Sequence, residues 1–569
     1  MKRVFSILFA LALVLAFSLV ATTPVGAATI NVPGDQPTLQ AAINFANPGD
    51  TILVAAGIYN VDAESWQPWG TCIHINKDNL HIKGAGSALT VLDARHTYSV
   101  LNAPGPTQLH CTVVWVQAQT CTIEGLTVKR GDYGIRANWN GPSTSLTLID
   151  VVVDANYGNG IIFENNITTA TFTNVVAKGS GDRGIYFSPV TAAGAVTLTN
   201  TSANNNGHAG FGCQGSIANL SITGGTFNNN TGGLFHHDFA TWVGPYYGFG
   251  IELWNCVGSV TAVTAAGNGF LGPNTCGGLY GLEGGAGIVV KAGMKLPNNI
   301  VITCSDLVNN RNGLWIEDPD SVVHWGACGG WVGSVALQQS DIAGNTEYGV
   351  LNMLAFPAPG CPVPVVVTAT SNWWNHATGP GPVGPGLGDK VSPQVLFAPW
   401  VTESYAASKS VTPTTGGTAS FSASQGNIMG LQAVPTHFSH PVPILYGMFK
   451  FTICCFSGPV TLTVTLPGPV PVGSRWYKYQ GGLWSSLPIG SDNGDNIITV
   501  TFTDGGPGDA DGSPNGQITD DGGVGDPTPV GWETHPISKV RVLLPWIALF
   551  AAIAAGASLF VIRRRRAQS

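Results

Sequence analysis

Charged residues are scarce in this chain, and their scarcity excludes several architectures. Asp, Glu, Lys and Arg make up only 10% of the 569 residues, whereas coiled coils and helical bundles are rich in Glu and Lys. No Cys-x-x-Cys pair occurs among the 11 cysteines, which disfavours a zinc ribbon. Glycine is abundant instead, at 75 residues, and this composition is typical of many short strands joined by tight turns.

Basic residues are concentrated at the two ends of the chain. Without Lys2, Arg3 and the four C-terminal arginines, 18 of the 24 Lys and Arg residues remain against 32 Asp and Glu, a net charge of −14 for residues 28–562. Such a body repels nucleic acid, which we therefore exclude as a partner. An acidic polysaccharide would need a local basic patch or a bridging cation.

The N-terminus has the pattern of a secretory signal peptide, residues 1–27. Two basic residues precede the apolar run 4–20, and the small residues Val25, Gly26 and Ala27 suit a cleavage site. A retained N-terminal anchor is the alternative. Export permits disulfides, and the odd number of cysteines leaves at least one unpaired within the chain. Cys213 and Cys304 are expected as buried thiols, whereas Cys111 with Cys121, or Cys256 with Cys276, could bridge loops.

The C-terminus predicts one transmembrane helix at residues 542–562. This stretch has 21 residues without a charge, and at 1.5 Å per residue it is roughly 31 Å long, enough to cross a bilayer. The arginines that follow place the basic tail, 563–569, in the cytoplasm and the rest of the chain outside. A sorting tail that is later cleaved is the alternative.

An internal repeat defines the main body. Small polar residues, a glycine and an apolar residue recur at intervals that are first 26, 24, 26 and 23 residues long. The phrase glycines are Gly134, Gly160, Gly184, Gly210, Gly233, Gly250, Gly287, Gly313 and Gly349. Segments with period-two alternation lie between them, as in Leu146-Thr147-Leu148. A repeat of about 25 residues buries an apolar face only by stacking on its neighbours, which predicts a solenoid.

The start of the body, from Ile30-Asn31-Val32-Pro33-Gly34-Asp35 to Gly57-Ile58-Tyr59, resembles the opening of pectin-lyase-like right-handed parallel β-helices. Leu39, Ala42, Ile43 and Ala46 have helical spacing and predict a short helix over the open end. Asn372-Trp373-Trp374 and the residues up to Pro399-Trp400 are similar to the closing segment of many surface β-helices. The resemblance implies a right-handed β-helix at 29–401, a fold that hosts lyases, hydrolases, adhesins and structural repeats alike.

A second domain is expected after a linker at 402–427. Short strand-like runs with Pro and Gly turns predict a small β-sandwich at 428–526. Trp476-Tyr477-Lys478-Tyr479, Trp484 and the Asp-Gly-rich run 504–512 resemble the choice-of-anchor domains, type U, of bacterial surface proteins. A juxtamembrane linker, 527–541, would follow. Oxygen-bearing side chains at loop spacing suggest a structural Ca²⁺ site, or alternatively a solvated acidic turn; the candidate ligands are Asp509, Asp511, Asn515 and Asp520, with Ser513 between them.

Candidate site residues follow from counting along each repeat. If the residue after the phrase glycine points inward, those two and four positions after it point outward. Glu252, Lys291 and Glu317 then fall on one face as candidate catalytic groups, for an acid/base pair or a lysine base. Candidate sugar-binding residues on that face and in two nearby aromatic loops are His237, Trp242, Tyr246, Tyr247, Trp254, Trp315 and Trp325. A solvated ladder of polar residues is the alternative interpretation.

Three functional hypotheses follow. The first is a surface-anchored β-helix that binds extracellular or cell-envelope glycan in adhesion or recognition. The second is a polysaccharide lyase or glycoside hydrolase displayed at the surface, and the third is a structural envelope component. No polygalacturonase signature and no pectate-lyase cluster of acidic Ca²⁺ ligands is evident in the sequence, and Asp182-Arg183 lies in a turn phrase, where a structural role is expected. Apart from Ca²⁺, no cofactor is expected.

Overall fold

The computed structural model describes eleven stretches of the chain. They are residues 26–61, 71–94, 112–137, 143–231, 248–269, 285–291, 298–317, 333–353, 366–436, 440–480 and 483–527. These residues form two compact units, which divide between Tyr405 and Ala406. Both the signal peptide predicted at 1–27, except its last two residues, and the helix predicted at 542–562 lie outside the described residues. Within the described residues, no helix is long and apolar enough to cross a bilayer.

The described residues of the first unit form one short helix and 34 strands. The helix α1 spans Leu39–Phe45. The strands are β1 Thr29–Val32, β2 Thr51–Val54, β3 Gly57–Asn60, β4 Thr71–Ile75, β5 Leu80–Gly84, β6 Thr90–Asp93, β7 Thr112–Val116, β8 Thr120–Glu124, β9 Thr127–Lys129, β10 Tyr133–Ala137, β11 Thr144–Ile149, β12 Val152–Asp154, β13 Ile161–Phe163, β14 Ile167–Thr173, β15 Val176–Lys178, β16 Ile185–Phe187, β17 Ala192–Thr199, β18 Ser202–Asn204, β19 Ala209–Cys213, β20 Ser216–Thr223, β21 Phe249–Trp254, β22 Cys256–Thr261, β23 Thr264–Ala266, β24 Ala286–Lys291, β25 Asn299–Thr303, β26 Asp306–Val308, β27 Asn312–Glu317, β28 Ser334–Gln338, β29 Asp341–Ala343, β30 Tyr348–Asn352, β31 Val367–Thr368, β32 Pro380–Pro382, β33 Gly388–Val391 and β34 Val395–Leu396.

These strands stack in parallel, which confirms a parallel β-helix. Each coil contributes one strand to a 13-stranded sheet and one to a 12-stranded sheet, and short third strands form a 6-stranded and a 3-stranded sheet. Every pairing within these sheets runs parallel, as in β10 on β13 with Ile135 beside Ile161. The right-handed sense of the coil, which the resemblance implied, stays a prediction.

The phrase glycines mark the 12-stranded sheet. The residue after each glycine points into the core and is fully buried; these residues are Ile135, Ile161, Ile185, Phe211, Ile251, Ile288, Leu314 and Val350. A side chain at the glycine itself would collide with the next coil: a Cβ at Gly134 would lie 2.5 Å from Val153 Cγ1 and 2.6 Å from the Gly160 carbonyl oxygen. Glycine therefore recurs because the turn into each strand approaches its neighbours too closely for a larger residue.

One phrase glycine of the sequence analysis is not a repeat of this sheet. Strand β19 pairs directly with β21, with Ala209 beside Phe249, so the coils of Gly210 and Gly250 are neighbours. Gly233, which we had counted as a coil of its own, lies with His237 in residues 232–247, outside the described part. We define a rung as the seven residues from two before a phrase glycine to four after it. The eight rungs are those of Gly134, Gly160, Gly184, Gly210, Gly250, Gly287, Gly313 and Gly349.

A column of buried amides joins successive turns and is termed here the asparagine ladder. It consists of Asn206, Asn230, Asn268, Asn310 and Asn345. From Asn230 onward, each Oδ1 accepts from the backbone N–H and the side-chain Nδ2 of the asparagine before it, as Asn268 Oδ1 does from Asn230 at 3.0 and 3.1 Å. Asn206 Oδ1 accepts instead from the backbone N–H of Ser180 at 3.0 Å. Asp389 ends the ladder by accepting from Asn345 Nδ2 at 2.8 Å. These bonds satisfy amides that would otherwise be buried at a cost.

The helix lies where its spacing predicted. Thr38 is its N-cap, and Thr38 Oγ1 accepts a hydrogen bond from the Ala41 N–H at 3.1 Å. Leu39, Ala42 and Ile43 are buried on the face that contacts β1, β2 and β4. The helix therefore covers apolar side chains at the N-terminal end of the stack.

The cysteines divide differently from our expectation. Cys213 is a buried free thiol, as predicted, but so are Cys121 and Cys256, so neither forms the loop bridge proposed for it. Cys304, expected as a thiol, is disulfide-bonded, as is Cys72. Sequence spacing along a solenoid is a poor guide to pairing because residues one coil apart are close in space while sequence neighbours point to opposite faces.

The second unit is a small antiparallel β-sandwich. Its strands are β35 Ser408–Val411, β36 Ala419–Ala423, β37 Asn427–Val434, β38 Met448–Cys454, β39 Val460–Thr465, β40 Arg475–Gln480, β41 Leu483–Pro488, β42 Ile497–Phe502 and β43 Gln517–Gly525. A four-stranded sheet, β35-β36-β39-β42, and a five-stranded sheet, β37-β38-β43-β40-β41, enclose one apolar core. Two of these strands lie in the predicted linker, 402–427, because its Ser- and Thr-rich sequence alternates and pairs with β39.

Candidate functional site

The outward side of the 12-stranded sheet, termed here the outer face, carries the candidate site. Hydrogen-bond register aligns the residues two positions after each phrase glycine into one column: Arg136, Ile162, Tyr186, Gly212, Glu252, Val289, Trp315 and Leu351. A second column, four positions after the glycine, contains Trp254, Lys291 and Glu317 on successive rungs. Neighbouring rungs are about 4.8 Å apart, so side chains from adjacent rungs touch.

Glu252 is the centre of this arrangement. It is fully buried, and its Oε2 accepts hydrogen bonds from Nε and Nη2 of Arg183, each at 3.1 Å. Its Oε1 lies 3.2 Å from Lys291 Nζ. Burial alone would raise the pKa of Glu252, but the charges of Arg183 and Lys291 outweigh burial and hold this pKa far below its usual range. Glu252 is therefore a carboxylate at any ordinary pH.

Arg183 reaches Glu252 because the rung between them has no side chain at the point of crossing. Arg183 precedes its phrase glycine, and Glu252 belongs two rungs further on. At the intervening Gly212, a Cβ would lie 2.6 Å from Arg183 Cδ, 2.7 Å from Arg183 Nε and 3.3 Å from Glu252 Oε2. The guanidinium also covers the ring of Tyr186, with its carbon 4.3 Å from the ring centroid.

Lys291 joins the two candidate acids. Its Nζ lies 3.2 Å from Glu252 and 3.3 Å from Oε2 of Glu317, which is partly exposed. The same ammonium lies 4.9 Å from the ring centroid of Phe249 and 5.3 Å from that of Trp254. Burial lowers the pKa of Lys291, but the two carboxylates outweigh it and raise this pKa above its ordinary value. Lys291 is therefore a protonated cation and not a free base.

Asp182 and His208 stack on neighbouring rungs beside this network. The backbone N–H of His208 donates to the backbone carbonyl of Asp182 at 2.9 Å. In addition, the ring Nδ1 of His208 lies 3.2 Å from Asp182 Oδ1. Burial and the charge of Arg183 lower the pKa of His208, so its imidazole is neutral near pH 7. Burial favours the acid form of Asp182, but Arg183 and His208 outweigh it and lower the pKa of this carboxyl. We name the set Asp182, Arg183, His208, Glu252, Lys291 and Glu317 the Glu252 cluster.

Apolar side chains continue the outer face on one side of the Glu252 cluster. They form a buried group separate from the solenoid core: Ala209, Phe249, Ala286, Val289, Trp315 and Leu351. Phe249 and Trp315 lie with ring centroids 6.2 Å apart. The site thus combines a charged network with an aromatic wall, the combination that sugar binding requires.

Buried polar atoms of Glu252, Glu317 and the adjacent Trp254 have no hydrogen-bond partner among the described residues. They are Glu252 Oε1, Glu317 Oε2 and Trp254 Nε1. The two oxygens lie 3.2 and 3.3 Å from Lys291 Nζ, so the ammonium compensates their charge. Because buried polar atoms in native proteins are nearly always satisfied, a ligand or ordered water can bond to the Trp254 N–H and to the remaining lone pairs of Glu317.

The structure brings four predicted site residues together and leaves others outside the described part. Glu252, Trp254, Lys291 and Glu317 lie in adjacent rungs, and Trp315 lies in the adjoining apolar wall. The predicted loop residues His237, Trp242, Tyr246, Tyr247 and Trp325 all fall outside the described residues. The outward side chains of the cluster are buried and ion-paired, so they are not the solvated ladder that we weighed as the alternative.

We did not predict Asp182, Arg183 and His208 as site residues from the sequence. We assigned Asp182-Arg183 a structural role because the pair precedes a phrase glycine, yet both side chains enter the cluster. The available signal was positional: the residue two before the phrase glycine is Asp132, Asp182, His208, Arg311 or Glu347 in five rungs. Charged residues repeated at one position of a stacked coil predict a column on the surface.

The candidate calcium ligands in the β-sandwich each make contacts within the protein, and a structural Ca²⁺ site there stays a prediction. Asp509 accepts backbone N–H groups with both oxygens, from Gly505 at 2.9 Å and from Thr519 at 3.1 Å. Asp520 is fully buried, accepts from Trp476 Nε1 at 2.7 Å and lies 3.7 Å from Lys478 Nζ. Asp511 and Asn515 bond to each other at 2.8 Å. Among the described residues, no three acidic, histidine or cysteine side chains are arranged to hold a metal.

Comparisons with known proteins found similar solved structures at low sequence identity. No family model and no curated protein matches the chain. Similar solved structures include the A-module of the Azotobacter vinelandii mannuronan C-5 epimerase AlgE6, with 14% identity and a TM-score of 0.37 over 64% of this chain and 94% of that one. They also include a GH87 α-1,3-glucanase catalytic domain in complex with tetrasaccharides, with 14% identity and a TM-score of 0.36 over 66% and 68% of the two chains. A carrot pectin methylesterase matches with 11% identity and a TM-score of 0.27 over 67% and 90%. TM-scores this low carry no argument about activity.

Proposed function

We propose that this chain binds a glycan at the Glu252 cluster. One observation carries the proposal: a buried, ion-paired network with unused hydrogen-bonding atoms lies beside aromatic rings on a single outward face. A β-helix needs no charge at that place for its fold, because other rungs have Ile162 and Val289 in the same column. Buried charges cost free energy, so their concentration in one place favours a binding role.

The chemistry of the cluster suits sugars. Sugar hydroxyls donate to carboxylates such as Glu317 and Asp182, whose side chains are 22% and 15% exposed. The C–H faces of a sugar ring pack on aromatic rings, and Tyr186 and Trp254 are partly exposed at the edge of the cluster. Together these groups supply the few placed polar contacts and the apolar surface of a carbohydrate site.

Binding fits the protonation states better than the catalysis that the sequence suggested. A general acid must be protonated before reaction, whereas the pKa of Glu252 is held low by Arg183 and Lys291. A lysine base must be neutral, whereas the pKa of Lys291 is raised by Glu317 and Glu252. Neither residue therefore suits the acid or base role that we assigned to it from the sequence.

The binding proposal is tested with the full chain in detergent on a broad array of plant and bacterial polysaccharides. Glu317→Gln should weaken binding to any captured glycan by about tenfold, because one charged acceptor is lost. Glu164→Gln is the matched control: it lies at the same position of the Gly160 rung, it pairs with Arg136, and its side chain is 20% exposed. No capture of any glycan would instead favour the structural envelope hypothesis.

A second candidate function is cleavage of a glycan by a polysaccharide lyase or glycoside hydrolase. It is favoured by Asp182 and His208, because a neutral imidazole oriented by a carboxylate is a general base in many enzymes. New reducing ends or unsaturated products that vanish in His208→Gln would support it. His74→Gln is the control, since His74 is also an outer-face histidine but stacks on Trp115 with ring centroids 4.5 Å apart.

We further propose that the chain is exported and displayed at the cell surface. The support is its signal-like N-terminus and its apolar C-terminal run, and the β-sandwich resembles an anchor domain that precedes such tails. The mature N-terminus should be Ala28 by sequencing, and the protein should sediment with membranes. Deleting residues 542–569 should release it into the medium. A mature protein that lacks the C-terminal apolar run would contradict a retained helix and favour a cleaved sorting tail.

A further inference from the structure

The charges of the outer face also bear on which glycans the site accepts. The described residues of the eight rungs include four cations: Arg136, Arg183, Lys291 and Arg311. The same segments hold six carboxyl groups: Asp132, Glu164, Asp182, Glu252, Glu317 and Glu347. Anionic groups therefore exceed cations by two along this face.

Each of these cations is already engaged by a carboxylate. Arg136 pairs with Glu164, and Arg311 pairs with Glu347 at 2.7 Å. Arg183 pairs with Asp182 and Glu252, and Lys291 pairs with Glu252 and Glu317. A ligand carboxylate or sulfate would share each of these cations with a carboxylate that already neutralises it, and the like charge of that carboxylate would repel the ligand.

Two carboxylates of the Glu252 cluster, Asp182 and Glu317, are also more exposed to solvent than the cations with which they pair. In the Glu252 cluster the side chains of Arg183 and Lys291 are 6% and 10% exposed, less than those of Asp182 and Glu317. An arriving ligand thus meets oxygen atoms that only accept hydrogen bonds. Glu317 Oε2 lies 3.3 Å from Lys291 Nζ, and like any carboxylate oxygen it can accept a further hydrogen bond.

We infer that the site takes glycan segments without anionic groups, in which hydroxyl or amino groups donate to Asp182 and Glu317. This inference rests on the proposed function and narrows it, because uronic acids, sulfated sugars and phosphate-bearing polymers are rejected. The net charge of −14 over residues 28–562 works in the same direction at longer range.

The test uses polymers that share a backbone and differ in charge. The full chain in detergent is titrated with hydroxyethyl cellulose and carboxymethyl cellulose, with dextran and dextran sulfate, and with each glycan that the array captures. Uncharged or amino polymers should bind at least about tenfold more tightly than their anionic counterparts. The affinity of the uncharged polymers should change by less than about twofold between about 50 and about 500 mM NaCl, because no charge on the ligand is screened.

Two variants separate the effect of the outer carboxylates from that of the whole chain. Glu317→Gln and Asp182→Asn should narrow the preference for uncharged over anionic polymer, whereas the control Glu164→Gln should leave it unchanged. Both variants keep the size of the side chain, and circular dichroism checks that the β-helix is intact.

The possible outcomes bear differently on the two proposals. Tightest binding to an anionic polymer, with affinity that falls as salt is added, would overturn the inference and leave glycan binding in place. Equal affinity for both members of a pair would also overturn it. Binding to no polymer at all would overturn glycan binding itself, and with it the inference.

Discussion

Glu252 in the β-helix and Asp520 in the β-sandwich are both fully buried carboxyl groups, yet their pKa values are shifted in opposite directions. Burial raises the pKa of Asp520 to about 7, and the Trp476 N–H and Lys478 only partly offset it. Burial acts on Glu252 in the same sense, but Arg183 and Lys291 outweigh it and lower this pKa.

The number and distance of the cations account for the difference. Glu252 has a two-point contact with Arg183 at 3.1 Å and an ammonium at 3.2 Å, whereas Asp520 has one ammonium at 3.7 Å. Burial disfavours the charged form of both groups. The charges around each group decide whether the carboxylate or the acid is the stable form. The β-helix tolerates a permanent buried charge, and the β-sandwich contains a titratable one.

The largest expected effect comes from removing the charge at Glu252. Glu252→Gln leaves Arg183 and Lys291 with one carboxylate each in a buried setting, and should lower the free energy of unfolding of the β-helix by about 3–5 kcal/mol. Urea unfolding of the full chain at pH 7, followed by hydrogen exchange in β21, measures it. The matched change Asp520→Asn should cost the β-sandwich far less, and equal losses would contradict the comparison.

The pH dependence of the two units should differ in sign. The folded pKa of Asp520, about 7, exceeds the ordinary value of 3.8, so the folded state binds more protons between these limits. The stability of the β-sandwich should therefore fall by a few kcal/mol as pH rises from about 4 to about 7. The pKa of Glu252 is lowered, so its contribution to the β-helix is present above about 4.5 and is lost below it.

Hydrogen exchange in β43 and β21 of the full chain, corrected for the intrinsic pH dependence of exchange, follows the two units separately. Asp520→Asn should flatten the slope in β43 and leave β21 unchanged. A β-sandwich whose stability rises over this pH range would show that Asp520 is ionised throughout.

A smaller effect is expected from filling the gap through which Arg183 reaches Glu252. In Gly212→Ala the new methyl group would meet Arg183 Cδ at 2.6 Å, so the guanidinium must move away from Glu252. The β-helix should lose about 1–3 kcal/mol in urea unfolding. Gly57→Ala is the control, because its Cβ would contact only Tyr59, at 3.5 Å or more. Equal losses in both variants would indicate a general cost of alanine in a strand.

The smallest expected effect concerns the one cation near Asp520. Lys478→Met removes it, and the midpoint of the β-sandwich titration should rise by about one pH unit. The same hydrogen-exchange series in β43 measures the midpoint, with Lys450→Met as a control in the neighbouring strand, where Lys450 is exposed. An unchanged midpoint would mean that burial and the Trp476 N–H alone set the pKa of Asp520.

The solenoid could be predicted from the sequence because its signals are local and repeated. Each phrase glycine marks a close approach to the next coil, and each following apolar residue enters the core. The prediction counted one coil too many at Gly233, because residues 233–234 repeat the glycine–apolar phrase although β19 pairs directly with β21. The strands in 408–423 were missed for a related reason, since Ser- and Thr-rich alternation reads as a linker until a partner strand is known.

The Glu252 cluster was predictable only in part. Lys291 and Glu317 have equal offsets from their glycines, so counting places them in one column, with Glu252 one column away. The participation of Arg183 depends on the missing side chain at Gly212, which lies one rung from Arg183 and one rung from Glu252, and no local pattern encodes such a crossing. The protonation states follow from that contact and were beyond reach for the same reason.

The asparagine ladder has a direction and an end, which bears on how this protein can change in length. Every asparagine in it both donates to the next turn and accepts from the previous one, so an additional coil with the same amide could be inserted anywhere along the run. Asp389 breaks this symmetry, because a carboxylate accepts from Asn345 but has no N–H to pass onward. Duplication of a coil on the N-terminal side of Asp389 would therefore lengthen the molecule and leave the contact of the last asparagine with Asp389 unchanged. A coil added after Asp389 would find no amide there to continue the ladder.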